Sequence, residues 1–552
     1  MQNLKSALET IRPIYKKRCA IISLVLWIVL NICQAERLFF NGPFTEHVPM
    51  IKLLHLVFLY AIFYKIDSLV ISYKTKQGKL EFFSFAACFL LFIVFFLLMY
   101  PGTWSWDDIY MMINAQSYSL NAWQHFFSGL FYLFCLQTLP FAPGVIFIQI
   151  LIVSLISSYC SVRVALAFSK SEKHTLILTA AFTLVLFAPP MLLYVMSGFR
   201  MGLYAMFELL LICKLILAFK NKAKLSALEW LAVFVLTIIV CSWRTEAIYY
   251  PILVFFLFII TGRKFVSKKM ACLFLATTLV VSFGINNVNN TLIGNSDYSI
   301  SASIGPASKL VLASDDGDSE EIAAINRVLD VEYIKANPGY SGEAFFWSDG
   351  AIRSDYTEDD VSAYNKAVIT LSLKHPGVVI KHCFGIFKNA ILGFGENGKQ
   401  TTRNMIFAGS NGALEIDTSR GESDWNLVNS KFKNPINNGL RKSVILFLAG
   451  VDEERNISFL HTLFWNLWIP AVLILIALAY KIFKRDLGFV LIICTVLCRI
   501  PILFLTSPAP YFMYYLSTYV CLIFICVLVF YEATVEILEK RKNKAPAKRS
   551  AS

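Results

Sequence analysis

The residues best suited to chemistry in this chain are polar groups set against long apolar runs. In PGTWSWDDIY (101–110), Asp107 and Asp108 are the only acids of a 42-residue stretch, 101–142, that holds no Lys or Arg. Adjacent carboxylates point in different directions whether the backbone is helical or extended. One of them could therefore act as a general base while the other caps a helix or binds a cation. A purely structural reading has Asp107 capping a helix that starts at Ile109, with Trp104 and Trp106 as interfacial anchors.

Arginines form a second group. Arg200, Tyr204 and Glu208 fall at i, i+4 and i+8, so one helical stripe carries all three over ~12 Å. Arg244 and Glu246 share the turn SWRTEAIYY, and Arg499 lies twelve residues into the apolar run that begins at 487, ~18 Å from its start. An ionisable group at that depth is costly and faces a cavity or a partner. Two readings follow: a cationic wall for a phosphate, where Arg offers bidentate geometry, or an Arg499–Glu208 ion pair that fastens helices. The turn TSPAPYFMYY adds Tyr511, Tyr514 and Tyr515, either an aromatic belt or a platform on which a sugar ring stacks.

The elements that must position these groups follow from composition. Of 552 residues, 57% are hydrophobic and 16% charged, with 47 Phe, and mean hydropathy is +0.61. Ordinary soluble proteins carry ~25% charge. So little polar surface cannot cover a water-soluble globule, which excludes soluble enzymes, disordered chains and fibrous repeats. The expected fold is an all-α polytopic membrane protein.

A membrane-length criterion of ~17–25 residues gives twelve expected spans, near 19–35, 51–71, 82–100, 143–166, 176–196, 199–219, 228–243, 247–262, 270–286, 461–480, 487–505 and 511–531. Segments 1–18, 72–81, 163–175, 220–227, 262–269, 481–486 and 532–552 hold 27 of the 50 Lys and Arg. Alternate loops thus carry the basic residues, which puts both termini in the cytoplasm. The formal charge of +13 divides into −6 over 287–460 and +19 elsewhere, mostly in those short loops, so it argues for topology and against nucleic-acid binding. Residues 125–139 are expected as a juxtamembrane or re-entrant helix, and 19–35 as an uncleaved signal anchor.

Three regions result: 1–286 with about nine spans and the loop 101–142, an extracytoplasmic domain at 287–460, and 461–552 with about three spans and a basic tail. The outer domain is expected to be mainly helical. Asp318 and Glu321 have capping-box spacing before EIAAINRVLDVEYI, as do Thr357 and Asp360 before VSAYNKAVITLSL. Pro376 opens a third helix to about Leu392, apolar enough to lie on the membrane or on the span ends. Residues 395–440 are rich in Gly, Asn and Ser and are expected as a long loop. Twelve of the 13 Cys lie in or beside apolar runs and only Cys383 lies in the outer segment, so no disulfide braces that domain. No CxxC or Cys/His cluster has zinc spacing.

An acidic motif after an early span, then a polar-aromatic helix with His125, then arginine-bearing outer turns resembles the bacterial GT-C membrane glycosyltransferases. INRVLDVEYIKANPGYSGEAFF followed by YNKAVITLSLKHPGVVIKHCFGIF, with a Tyr-rich turn before the last span, is similar to an uncharacterised branch of that superfamily. The family often shows His-Pro where this chain has His125-Phe126. The resemblance implies a GT-C-like fold and inverting transfer of a sugar from a polyprenyl-phosphate donor to a cell-envelope glycan or lipid acceptor, on the outer face of a bacterial inner membrane. Asp107 or Asp108 would be the base. His125, Arg200, Tyr204, Glu208, Arg244, Glu246, Arg499, Tyr511 and Tyr514 would bind substrate, and Arg499→Leu would weaken donor use while sparing folding. Some relatives use a divalent cation and others do not. A lipid-linked glycan polymerase or flippase is the rival reading. A secondary transporter would show repeat symmetry, which the single outer insertion breaks.

Overall fold

The structure, a computed structural model, describes residues 16–42, 45–120, 124–221, 225–261, 266–293, 300–393, 434–454 and 456–549. Among these, helices account for 80% and there are no strands. The membrane region opens with α1 (Lys17–Ile32), α2 (Val48–Ser72), α3 (Lys76–Met99), α4 (Trp106–Ala115) and α5 (Phe126–Thr138). It continues with α6 (Ala142–Phe168), α7 (Glu172–Leu186), α8 (Pro189–Val195), α9 (Arg200–Asn221), α10 (Ala227–Trp243), α11 (Tyr250–Ile260) and α12 (Lys268–Ile293). The next six are α13 (Ser301–Ala313), α14 (Ser319–Asn326), α15 (Val331–Ala336), α16 (Gly342–Phe346), α17 (Glu358–Lys374) and α18 (Pro376–Leu392). The chain closes with α19 (Asn438–Ala449), α20 (Phe459–Phe464), α21 (Trp468–Phe483), α22 (Leu487–Leu497), α23 (Arg499–Thr506) and α24 (Leu516–Arg549).

Among the described residues eight helices are long and apolar enough to cross a membrane, or nine when α7 and α8, bent by 64°, count as one broken span. The chain is thus a multi-pass, all-helical membrane protein. The other three of the twelve expected spans fall short. α1 has 16 residues, α10 has 17, and Thr245–Ile260 is likewise in the short class. At 1.5 Å per residue they reach roughly 24–26 Å, less than the ~30 Å hydrocarbon core. α5, with 13 residues, is shorter still.

Two helices form the hub. In α6 and α9, 78% and 72% of the apolar window is buried, against 22% in α2, α3 and α12, which present lipid-compatible faces. α6 packs on α3, α7 and α9, and α9 packs on α10 and α24. Small residues on α6, Ser154, Ser157, Ser158 and Ser161, are all buried and let its neighbours approach closely. Pro189 and Pro190 break the α7–α8 span, and Gln149 of α6 answers carbonyls left open where α8 ends. Its Nε2 donates to Val195 O at 2.9 Å and Ser197 O at 2.8 Å.

The basic segments meet at one end of the bundle. Lys76 pairs with Glu172, Lys170 with Glu539, and Lys481 with Glu532 at 2.7 Å. Asp107, Arg200, Arg244 and Tyr514 lie on segments at the opposite end.

A second core of Ile304, Leu310, Ile325, Leu329, Phe345, Tyr364 and Leu371 holds α13–α17 together, with Val378 and Val379 of α18 against it. The Thr357–Asp360 capping box is formed. The expected box at Asp318–Glu321 is not. Asp315 and Asp318 make the box instead, and the run divides into α14 and α15. The physical reason is a stronger partner: Asp318 Oδ2 accepts from His375 Nε2 at 2.7 Å, and Oδ1 lies 3.3 Å from Lys374 Nζ. Starting at Pro376, α18 leans on α23, with Phe387 set edge-on to Phe504 and Tyr515. The expected long loop lies outside the described residues up to 433. All 13 cysteines are free.

The hydrogen bond from His375 and the Lys374 ammonium hold the Asp318 carboxyl below the ordinary aspartate range, against the opposing effect of burial. A depressed carboxyl stabilises the fold above its unfolded value of ~3.9, and that contribution is lost as pH falls through the folded value. Protection of α14 and α18 amides in the full-length protein, corrected for intrinsic exchange rates, should therefore drop below about pH 4. Asp318→Asn should flatten that response; an unchanged acid profile in the variant would assign the effect to other carboxylates.

Candidate functional site

The acidic motif is positioned by the turn that leaves α3. Thr103 N donates to Met196 O at 2.8 Å, forming an isolated bridge between Thr103 and Ser197 that lays this turn beside the start of α9. Gly198 sits in the crossing. A Cβ there would stand 2.4 Å from Tyr132 Oη and 2.6 Å from the Trp104 ring. Trp104 is fully buried and donates Nε1–H to Pro101 O at 3.1 Å, so it is a packing residue and not an interfacial anchor. Arg441 of α19 reaches into the same turn, donating from Nε to Met99 O at 3.1 Å and from Nη2 to Gly102 O at 2.6 Å. A buried guanidinium thus satisfies carbonyls that the end of α3 leaves open.

The helix α4 starts at Trp106, not Ile109, and Ser105 is its N-cap. Ser105 N and Oγ both donate to Asp108 Oδ2, at 2.9 Å each. Asp108 is completely buried, and burial pushes its carboxyl up to about 8, against the lowering effect of the Ser105 hydrogen bonds. This is a helix-starting acid, neutral near pH 7. Asp107, one position earlier, is partly exposed and acts electrostatically on Arg200 and Tyr514.

Around Asp107 gather residues from four other parts of the chain. Arg200 opens α9, and its Nη1 donates to Gln124 O while its Nε is buried without a hydrogen bond. Arg244 ends α10, donates from Nε to Glu246 Oε1 at 2.6 Å, and stands 5.4 Å from the Tyr514 ring centroid. Arg200 interacts electrostatically with Arg244, Glu246, Asp107 and Tyr514. Tyr511 lies near-parallel to Tyr514 at 6.3 Å and donates its hydroxyl to Glu343 Oε1. Glu343 belongs to α16, so the α13–α18 domain contributes a carboxylate here. α16 is held close to α13 because Gly342 and Gly305 touch; a Cβ on Gly342 would meet Gly305 Cα at 2.6 Å.

The predicted stripe Arg200–Tyr204–Glu208 divides. Arg200 faces the outer group, while Tyr204 and Glu208 turn to Arg499. Arg499 Nη1 donates to Glu208 Oε2 at 2.6 Å and to Ser517 Oγ, Nη2 donates to Tyr204 Oη, and Glu208 Oε1 accepts from Tyr250 Oη at 2.6 Å. Both ion-pair side chains are at most 1% exposed. That geometry matches the helix-fastening alternative and leaves Arg499 no open face for a ligand. His125, 6% exposed, caps α5 by accepting Phe127 N–H at 3.3 Å on Nδ1, and its ring packs against those of Phe126 and Phe127.

Sequence reasoning missed Glu343, Tyr250, Ser517, Gln124 and Arg441. Tyr250 lay within the quoted turn SWRTEAIYY and could have been chosen as a hydroxyl near Arg244. The others had no local signal, since Glu343, Gln124 and Arg441 act across 76 residues or more and Ser517 reaches Arg499 from the next helix, 18 residues on. Among the described residues no group of three or more His, Cys, Asp or Glu is arranged to hold a metal ion. At the doublet, Asp108 Oδ2 is committed to Ser105.

The fold and site define a multi-pass helical membrane protein with an acid, two arginines and two tyrosines gathered at the end away from its basic loops. No family model, curated protein or solved structure matches the chain.

Removing one partner of a buried ion pair strands the other charge and costs about 3–5 kcal/mol, while replacing both by apolar groups is far milder. Arg499→Leu should therefore lower the thermal midpoint of the detergent-solubilised protein sharply, and adding Glu208→Leu should recover much of the loss. Equal midpoints for wild type and Arg499→Leu would contradict this fastening role.

Proposed function

We propose that the protein is a membrane glycosyltransferase similar to the bacterial GT-C enzymes. It would transfer a sugar from a polyprenyl-phosphate donor to a cell-envelope glycan or lipid acceptor at the outer face of the bacterial inner membrane. One juxtaposition carries this reading: a carboxylate, Asp107, within the electrostatic reach of Arg200, which also feels Arg244, at the end of the bundle opposite the basic loops. A base next to two cations suits a reaction that removes a proton from one reactant and releases a phosphate from the other.

In this mechanism Asp107 takes the proton of the acceptor hydroxyl. The oxygen attacks the anomeric carbon with inversion, and the bond from that carbon to the phosphate oxygen breaks with its electron pair leaving on the phosphate. Arg200, with its buried Nε unsatisfied, and Arg244 offset the charge that develops there. Tyr511 and Tyr514 stack on the sugar. Asp108 and Arg499 act as positioning residues, one starting α4 and the other locking the helices behind the site. Twelve spans with both termini cytoplasmic complete the reading; α1, α10 and Thr245–Ile260 would cross where the bilayer is thinned or the helices are extended by flanking turns.

Asp107→Asn should lower glycan modification in cells by ~10²–10⁴-fold at unchanged membrane levels, because amide cannot accept the proton. Asp108→Asn should stay within about tenfold of wild type, since an amide is close in shape to a neutral carboxyl. Mass spectrometry of envelope glycans with and without the gene supplies the assay. Wild-type modification by Asp107→Asn would remove the chemical basis of the assignment. For topology, reporter fusions at Asp359 and at the C-terminus should report opposite compartments; a shared compartment would refute the twelve-span arrangement.

A further inference from the structure

At the basic end, far from Asp107, a cleft of about 380 Å³ opens between α6, α9 and α10. Tyr159, Arg163, Lys214 and Asn221 form its polar side, and Leu217 and Val233 are among its apolar lining. Lys214 Nζ donates to Tyr159 Oη at 3.1 Å and stands 4.8 Å from that ring centroid. Lys65 Nζ stands 4.6 Å from the same centroid. Beside them Glu81, nearly inaccessible, pairs with Lys65 at 3.3 Å and with Arg163 at 2.8 Å.

The charge does not balance. Three cations interact with one another around a single buried carboxylate, and Lys214 has no carboxylate partner among the described residues. Glu229 on the rim is already committed, accepting from Ser226 N and Oγ at 2.8 Å each as the N-terminal cap of α10. Nor are these loop cations of the kind that merely fix topology. Lys65 precedes the end of α2 at Ser72 by seven residues, Arg163 the end of α6 at Phe168 by five, and Lys214 the end of α9 at Asn221 by seven. At 1.5 Å per residue all three lie at one level, roughly 8–10 Å inward from their helix ends. A net positive layer at that depth is costly without a counterion, and basic pockets between spans are where anionic headgroups seat.

We propose that this cleft binds a phosphate ester, the headgroup of an anionic membrane lipid, with Lys214 and Arg163 on the phosphate and the chain over Leu217 and Val233. The site is independent of the glycosyl-transfer reading, because it shares no residue with the Asp107 group.

The test uses the full-length protein in detergent, offered equal amounts of phosphatidylglycerol and phosphatidylcholine, with bound lipid counted by native mass spectrometry. Wild type should retain phosphatidylglycerol preferentially. Lys214→Gln should weaken that retention about fivefold, the usual contribution of one cation near an anionic headgroup. Lys214→Arg should keep it, and Lys540→Gln, at an exposed lysine of the same end, should change it less than about twofold. A parallel arm adds inorganic phosphate without lipid and follows thermal melting. A shift there that Lys214→Gln abolishes, with no lipid preference, would assign the same site to free phosphate. The proposal is overturned if wild type prefers neither lipid and phosphate gives no shift, or if Lys214→Gln and Lys540→Gln behave alike. Where the glutamine variant fails to fold, Lys214→Met supplies the same comparison with Lys540→Gln.

Discussion

The structure depends on one buried interaction, the Arg499–Glu208 ion pair with its hydroxyl partners. It joins α9 through Tyr204 and Glu208, α11 through Tyr250, α23 through Arg499 and α24 through Ser517. In an apolar interior neither charge can be left alone, since an uncompensated ion there costs several kcal/mol. The four helices can therefore settle only in the register that brings these groups together. Arg499 also falls where α22 gives way to α23 at Cys498, inside the single membrane-length segment Leu487–Thr506.

That constraint fixes α9 and α24, and Arg200 and the Tyr-rich turn of the candidate site stand at their starts. A parallel logic works at the broken backbone. Arg441 answers the carbonyls of Met99 and Gly102, Gln149 answers Val195 and Ser197, and Asp108 answers Ser105 N–H. Away from water each such group needs a partner, so the turns that carry Asp107 and Arg200 are held by polar side chains from distant helices. The site inherits rigidity from groups that take no part in its chemistry.

The two ends of the bundle use charge differently. At one end, basic residues pair with acids of α7 and α24, and a layer of Lys65, Arg163 and Lys214 outnumbers its single acid. At the other, Arg244 is balanced by Glu246, and Asp107 lies within the electrostatic reach of Arg200. The outer domain approaches this end through Glu343 on Tyr511 and through Phe387 on Tyr515, so its second core bears directly on the Tyr-rich turn.

Composition and periodicity alone were enough to specify a helical membrane protein, the α17 capping box and the start of α18 at Pro376, because these depend on local propensity and on the length of apolar runs. The same local logic picked out Asp107, Arg200, Arg244 and Arg499, since a charge in an apolar run is conspicuous wherever it lies. What each charge touches was beyond it. Arg499 and Glu208 are 291 residues apart, Tyr511 and Glu343 are 168, and Arg441 and Met99 are 342. No periodicity spans such distances. Only the packed helices decided that Arg499 fastens and Arg200 faces the site, that Asp108 starts a helix while Asp107 stands in the field of an arginine, and that Asp318 serves His375 instead of its own helix. Partner choice in a low-dielectric interior is set by three-dimensional proximity, where the nearest counter-charge wins whatever its place in the chain.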